Sequence, residues 1–149
     1  MKFLRVDMSE QTVSAEEVPQ DYAGLGGRGL TSIMINNEVA PTCDPLGPEN
    51  KLIFAPGTLS GTSLINTSRI SIGAKSPLTG GIKESNAGGT APAGLGKLGI
   101  IAIIVEGHAP EDKLFNLIID ASGDAVLEPA NDSREYSYLM LESGDLLLQ

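Results

Sequence analysis

The chain has 149 residues, 41% hydrophobic and 19% charged, a composition that suits one globular domain and not a disordered segment. Its net charge of −9 argues against a nucleic-acid or anionic-membrane surface, and no apolar run approaches the roughly 18 residues that cross a bilayer. Cys43 is the only cysteine and His108 the only histidine, which excludes an internal disulfide, a cysteine-held iron–sulfur cluster within these residues and a Cys/His zinc site.

The opening MKFLRVDMSE has no hydrophobic signal core, which predicts a cytoplasmic protein. Lys2–Asp7 and Thr12–Glu17 alternate around Met8–Gln11 and read as a hairpin closed by Pro19. Leu30, Ile33, Met34 and Val39 recur at near-helical spacing, predicting a helix from about Gly29 to Glu38 behind the glycines of Gly24–Gly29. That loop matches neither a dinucleotide fingerprint nor a Walker loop. Its glycines serve either an anion or close packing of helix on sheet.

Pro41–Asn50 is a proline-rich loop holding Cys43, and Lys51–Ala55 is a predicted buried strand. Arg69–Ala74 alternates as a half-buried strand, with Ile70 and Ile72 on one face and Arg69, Ser71 and Gly73 on the other. Lys75–Gly81 and Glu84–Gly89 read as turns, and Ala91–Leu98 as a short helix weakened by Pro92, Gly94 and Gly96. Ile100–Glu106, β-branched between two glycines, reads as a central strand. Leu114–Asp120 and Ala125–Glu128 follow as strands about a turn at Ser122–Asp124, with His108 in a solvated turn. From Pro129 onward the pattern decays, and Leu146–Leu148 read as a run cut short or covered by a partner.

The stretch Gly57–Gly99 holds ten of the eighteen glycines, with Arg69, Lys75, Lys83 and Lys97 against a single acid, Glu84. Glycine lets a backbone approach a ligand closely, successive N–H groups form anion sites, and an Arg grips a phosphate in bidentate fashion. Arg69, Asn86 and Gly88 are therefore candidate contacts: a charged fork, a side-chain amide and a site without a Cβ.

Several segments, in order, resemble the N-terminal domain of the tungsten-containing aldehyde ferredoxin oxidoreductase family. They are FLRVDMSEQTV, Leu25–Leu30, Asp44–Ile53, Gly57–Thr62, Ser68-Arg69, Lys75–Gly80, Ser85–Gly89 and Ile103–Gly107, spanning roughly residues 2–128. The resemblance implies an α+β fold of mixed and antiparallel sheets with few helices, as one pterin-binding domain over 1–149 with a poorly matched tail at 130–149. It implies that Arg69, Asn86, Gly88 and Gly89 contact a tungsten or molybdenum bis-pterin (molybdopterin-type) cofactor, and assigns no catalytic or metal-ligating residue here. It further implies that domains absent from these residues supply a [4Fe-4S] cluster and the acid–base groups. Such an enzyme oxidises aldehydes to carboxylic acids and passes electrons to ferredoxin, with homo-oligomers possible. Two other readings stay open: a non-catalytic oligomeric binding or assembly module on this fold, and a nucleotide-binding domain using Gly24–Gly29.

Overall fold

The computed structural model describes residues 1–111 and 113–130, and the backbone of Leu139–Glu142 and Asp145–Leu148. The rest of the tail expected at 130–149 lies outside the described residues. The elements, in order, are β1 (Lys2–Asp7), β2 (Thr12–Glu17), α1 (Gly27–Glu38), β3 (Lys51–Pro56), β4 (Arg69–Lys75) and β5 (Ile82–Gly88). They continue with α2 (Ala91–Lys97), β6 (Ile100–Glu106), β7 (Phe115–Ile119), β8 (Ala125–Pro129), β9 (Leu139–Glu142) and β10 (Asp145–Leu148). Six strands form one sheet in the order β2-β1-β6-β3-β4-β5; four form a second in the order β8-β7-β10-β9. Among the described residues only β1 and β6 run parallel, and the fold is the expected α+β mixture.

Strand β6 lies inside the larger sheet because IIAIIVE has an aliphatic side chain for each face. Ala102 and Ile104 join Phe3, Ile53 and Ala55 under α1, whose Leu30, Met34 and Ile35 are buried. Ile103 joins Leu4, Val6 and Ile70 on the other face, packed against Ala91 and Leu95 of α2 and Leu117 and Ile119 of the second sheet. Each Leu, Ile, Val, Phe or Met among these contributes roughly 1.5–3 kcal/mol on burial.

Three local expectations change. Ile33 is 40% exposed, and Thr31 takes its place on the buried face of α1. The reason lies opposite: a Cβ on Gly73 would sit 2.7 Å from Thr31 Cβ, so a small strand position receives a small helix residue. Strand β4 is thus covered on both faces and not half-buried, with Ser71 and Gly73 under the helix. Glu84–Gly88 is extended, not turned, because β4 templates it from Arg69↔Gly88 to Lys75↔Ile82. Leu146–Leu148 pair with Leu117–Ile119 in the second sheet.

Candidate functional site

The register of β4 on β5 builds the site. Arg69 lies opposite Gly88, Ser71 opposite Asn86 and Gly73 opposite Glu84. Directly opposed residues of an antiparallel pair share a face, and alternate residues do too. Arg69, Ser71, Glu84, Asn86 and Gly88 therefore share the face that carries α1. The N-terminus of α1 reaches this group: Gly27, in left-handed geometry at φ 53, has its Cβ direction 3.5 Å from Ser71 Oγ. Gly26 is used for packing, since a Cβ there would meet Thr58 at 2.8 Å.

Arg69 is exposed and has no ionic partner among the described residues. Beside it the space is open: Gly89 has nothing within 4 Å of its Cβ direction, and Gly88 only Ser68 O at 3.7 Å. Ser71 Oγ lies 2.9 Å from Asn86 Oδ1. Arg28, in the first turn of α1, donates through Nε to Glu84 Oε2. Burial opposes ionisation of Glu84, but hydrogen bonds from Ser71 and Arg28, the Arg28 charge and the Asn86 amide outweigh it. The carboxyl is held below the usual carboxylate range.

The other bases of the stretch do not converge here. Lys75 is buried and donates from Nζ to Pro41 O and Cys43 O, each at 2.6 Å, which fastens the proline-rich loop to β4. Lys83 falls on the opposite face of β5, and Lys97 ends α2. A locally positive stretch thus resolves into one available guanidinium. Alternation along β4 alone groups Ser71 with Arg69. The same period of two, applied to Glu84-Ser85-Asn86, puts Glu84 beside Asn86, whereas Arg28 comes from a distant helix that no local pattern brings here.

At the far end of α1 a second charged group closes the sheet. Arg5 bridges Glu38 and Glu106 at 3.1 Å each and Glu16 at 3.3 Å; Lys51 pairs with Glu106, and Tyr22 Oη donates to Glu38 at 3.2 Å. These groups satisfy one another. Among the described residues no three His, Cys, Asp or Glu side chains are placed to hold a metal ion. No helix among them is long and apolar enough to cross a membrane.

The model of the aldehyde ferredoxin oxidoreductase N-terminal domain matches residues 3–141. The chain belongs to this family. The tungsten-containing aldehyde ferredoxin oxidoreductases of Pyrococcus furiosus and Thermococcus kodakarensis are each 46% identical to it over 110 residues, which is 72% of this chain and 18% of theirs. The chain thus spans less than a fifth of the length of these relatives. Among solved structures, the active site complex BamBC of benzoyl coenzyme A reductase with 1,5-dienoyl-CoA superposes with a TM-score of 0.75 at 28% identity. That match covers 86% of this chain and 19% of the other.

The two relatives are named as tungsten-containing enzymes. The surface offers what an anionic, amide-edged group needs: an exposed guanidinium, a side-chain amide, the N-terminal end of a helix and two glycines leaving room above the strand.

Proposed function

We infer that this chain forms one wall of a tungsten or molybdenum bis-pterin site in a cytoplasmic oxidoreductase that converts aldehydes to carboxylic acids. The observation carrying this reading is the shared face of Arg69, Asn86 and Gly88 beside the start of α1. Arg69 would grip a phosphate of the pterin, and Asn86 would hydrogen-bond to it. Gly88 and Gly89 would let the backbone approach without a side chain between. When bound, the metal centre supplies the two-electron chemistry at the aldehyde, and the protein contributes binding and orientation. The domains that make up the rest of the longer relatives would bring a [4Fe-4S] cluster and the acid–base groups, and ferredoxin would accept the electrons.

The test is co-expression with the remaining family domains, followed by metal analysis and pterin release. R69A and N86A are each expected to lower cofactor occupancy, R69A on the order of tenfold, from the loss of a charge-assisted bond. Full loading in both variants, or a folded complete enzyme without metal and pterin, overturns the reading. The exposed edge strand β5 favours a second reading, a non-catalytic oligomeric module that pairs through that edge. A metal-free complete protein forming a defined oligomer selects it.

A further inference from the structure

The larger sheet has two edges, and they are guarded unequally. Strand β2 carries Glu16 and Glu17, is followed by Pro19 and packs beside β8. Strand β5 has no proline, its Lys83 and Glu84 charges cancel, and every residue in it except Glu84 is exposed. Its hydrogen-bonding parity follows from the bonds just beyond its two ends. Ser76 N donates to Gly81 O at 2.8 Å, and Gly89 N donates to Ser68 O at 3.4 Å. Opposed residues of an antiparallel pair alternate between bonded and unbonded. Lys83, Ser85 and Ala87 therefore bond to β4, whereas Ile82, Glu84, Asn86 and Gly88 turn their N–H and C=O groups away from it. Among the described residues no strand pairs with this side. The result is a row of free donors and acceptors about 20 Å long at the usual strand rise.

At its start this edge adjoins a hollow of about 200 Å³ between α1 and the β4–β5 turn. Ile35, Val39, Ala40, Pro41 and the exposed Ile82 supply its aliphatic walls. We propose that the β5 edge is a docking strand for an extended segment of the domains that make up the rest of the longer relatives. That segment adds a strand along Ile82, Glu84, Asn86 and Gly88 and sets one bulky apolar side chain in the hollow. The inference rests on the proposed function for its occupant, since this chain covers only 18% of the length of its tungsten-containing relatives. A strand added here lies alongside Asn86 and Gly88 and so borders the open side of the candidate wall. A second copy suits the edge less well. Self-pairing centred on Glu84, Ser85 or Asn86 sets Ile82 opposite Asn86, Gly88 or Thr90 of the other copy. None of these brings a bulky apolar side chain to the hollow.

The experiment is amide hydrogen exchange at residue resolution on the full chain, alone and bound to the remaining family domains, without metal or pterin. Alone, Lys83, Ser85 and Ala87 are expected to exchange slowly and Ile82, Glu84, Asn86 and Gly88 fast. In the complex all seven should be slow. Docking affinity is then measured for two variants. Ile82→Pro removes an outward N–H, which an edge strand tolerates, together with the exposed side chain. Ala40→Trp fills the hollow. Each should weaken docking about tenfold, as loss of an anchor does, while the amides of β1, β3 and β6 keep their protection. R69A should dock with full affinity, so loss of cofactor and loss of docking are read separately. Fast exchange of the four outward amides in the complex, or full affinity in both variants, overturns the proposal. So does protection of those four amides in the chain alone, whether it scatters light as a dimer or as a monomer, because the chain itself would then occupy the edge.

Discussion

A methyl group on Gly73 would sit 2.7 Å from Thr31 Cβ and 3.2 Å from Ile35 Cδ1, with α1 unable to yield at one point alone. Gly73→Ala is therefore expected to cost about 1–3 kcal/mol by overpacking, read from urea unfolding. Gly29 makes the contrast, since its Cβ direction meets nothing within 4 Å and it lies in α1 with ordinary φ. Gly29→Ala should stabilise by roughly 0.5–1 kcal/mol in the same assay. At the other end of the helix, Glu38 places a negative charge at a C-terminus, where the helix dipole disfavours it. Arg5 and Lys51 offset this, and the carboxylates around Arg5 hold its guanidinium more firmly protonated against the effect of burial. The side chains of Arg5, Glu38 and Glu106 are each only about a fifth exposed. Arg5→Leu should therefore cost more than the roughly 1 kcal/mol of a surface pair and less than the roughly 3–5 kcal/mol of a fully buried one. A loss below that surface value would show that Lys51 alone holds the two acids apart.

Helix α1 is tied to the edge strand β5 by Arg28 and Glu84, and this tie responds to pH. A carboxyl held below its free value of 4.5 binds fewer protons folded than unfolded. Its contribution is complete above 4.5 and is lost as the pH falls through the depressed folded value. Asp120, held low by Ser122 and the backbone N–H groups of its turn, acts in the same direction. The melting temperature should therefore fall on acidification, and E84Q should flatten that dependence while leaving the part due to Asp120. An unchanged acid slope in E84Q would mean that the tie adds nothing to the fold. The elements that carry this site were unequally legible in the sequence. The hairpin, α1 and β6 announce themselves because periodicity is local. Strand β5 does not: Ser85, Asn86, Gly88 and Gly89 are turn formers, and only pairing with β4 draws them out straight. Lys75 reads as a surface base because the carbonyls that bury it belong to Pro41 and Cys43, more than thirty residues earlier. The face of Arg69 could be read from alternation, whereas its partnership with Asn86 needed a register that no single strand encodes.

Across the whole molecule, both faces of the larger sheet are covered, yet β5 and the loop before β4 are not. Ile82 at the start of β5, and Leu59, Leu64 and Ile65 in the loop before β4, are exposed. The candidate site is thus a wall with one side open to water. Catalysis at a metal centre needs more than a wall: water must be excluded, and donors must surround the group that changes charge. Among the described residues neither an enclosure over Arg69 nor a set of metal-holding side chains supplies this. The 149 residues alone, given tungstate and a pterin source, are therefore expected to show no aldehyde-dependent reduction of a viologen dye. Adding the remaining family domains should restore it, with cofactor loading rising in parallel. Dye reduction by the chain alone would mean that one wall suffices, and the open face would then have to close by another route, such as pairing of two copies through β5. Light scattering on the active sample separates these cases, because the second requires the activity to elute with a dimer.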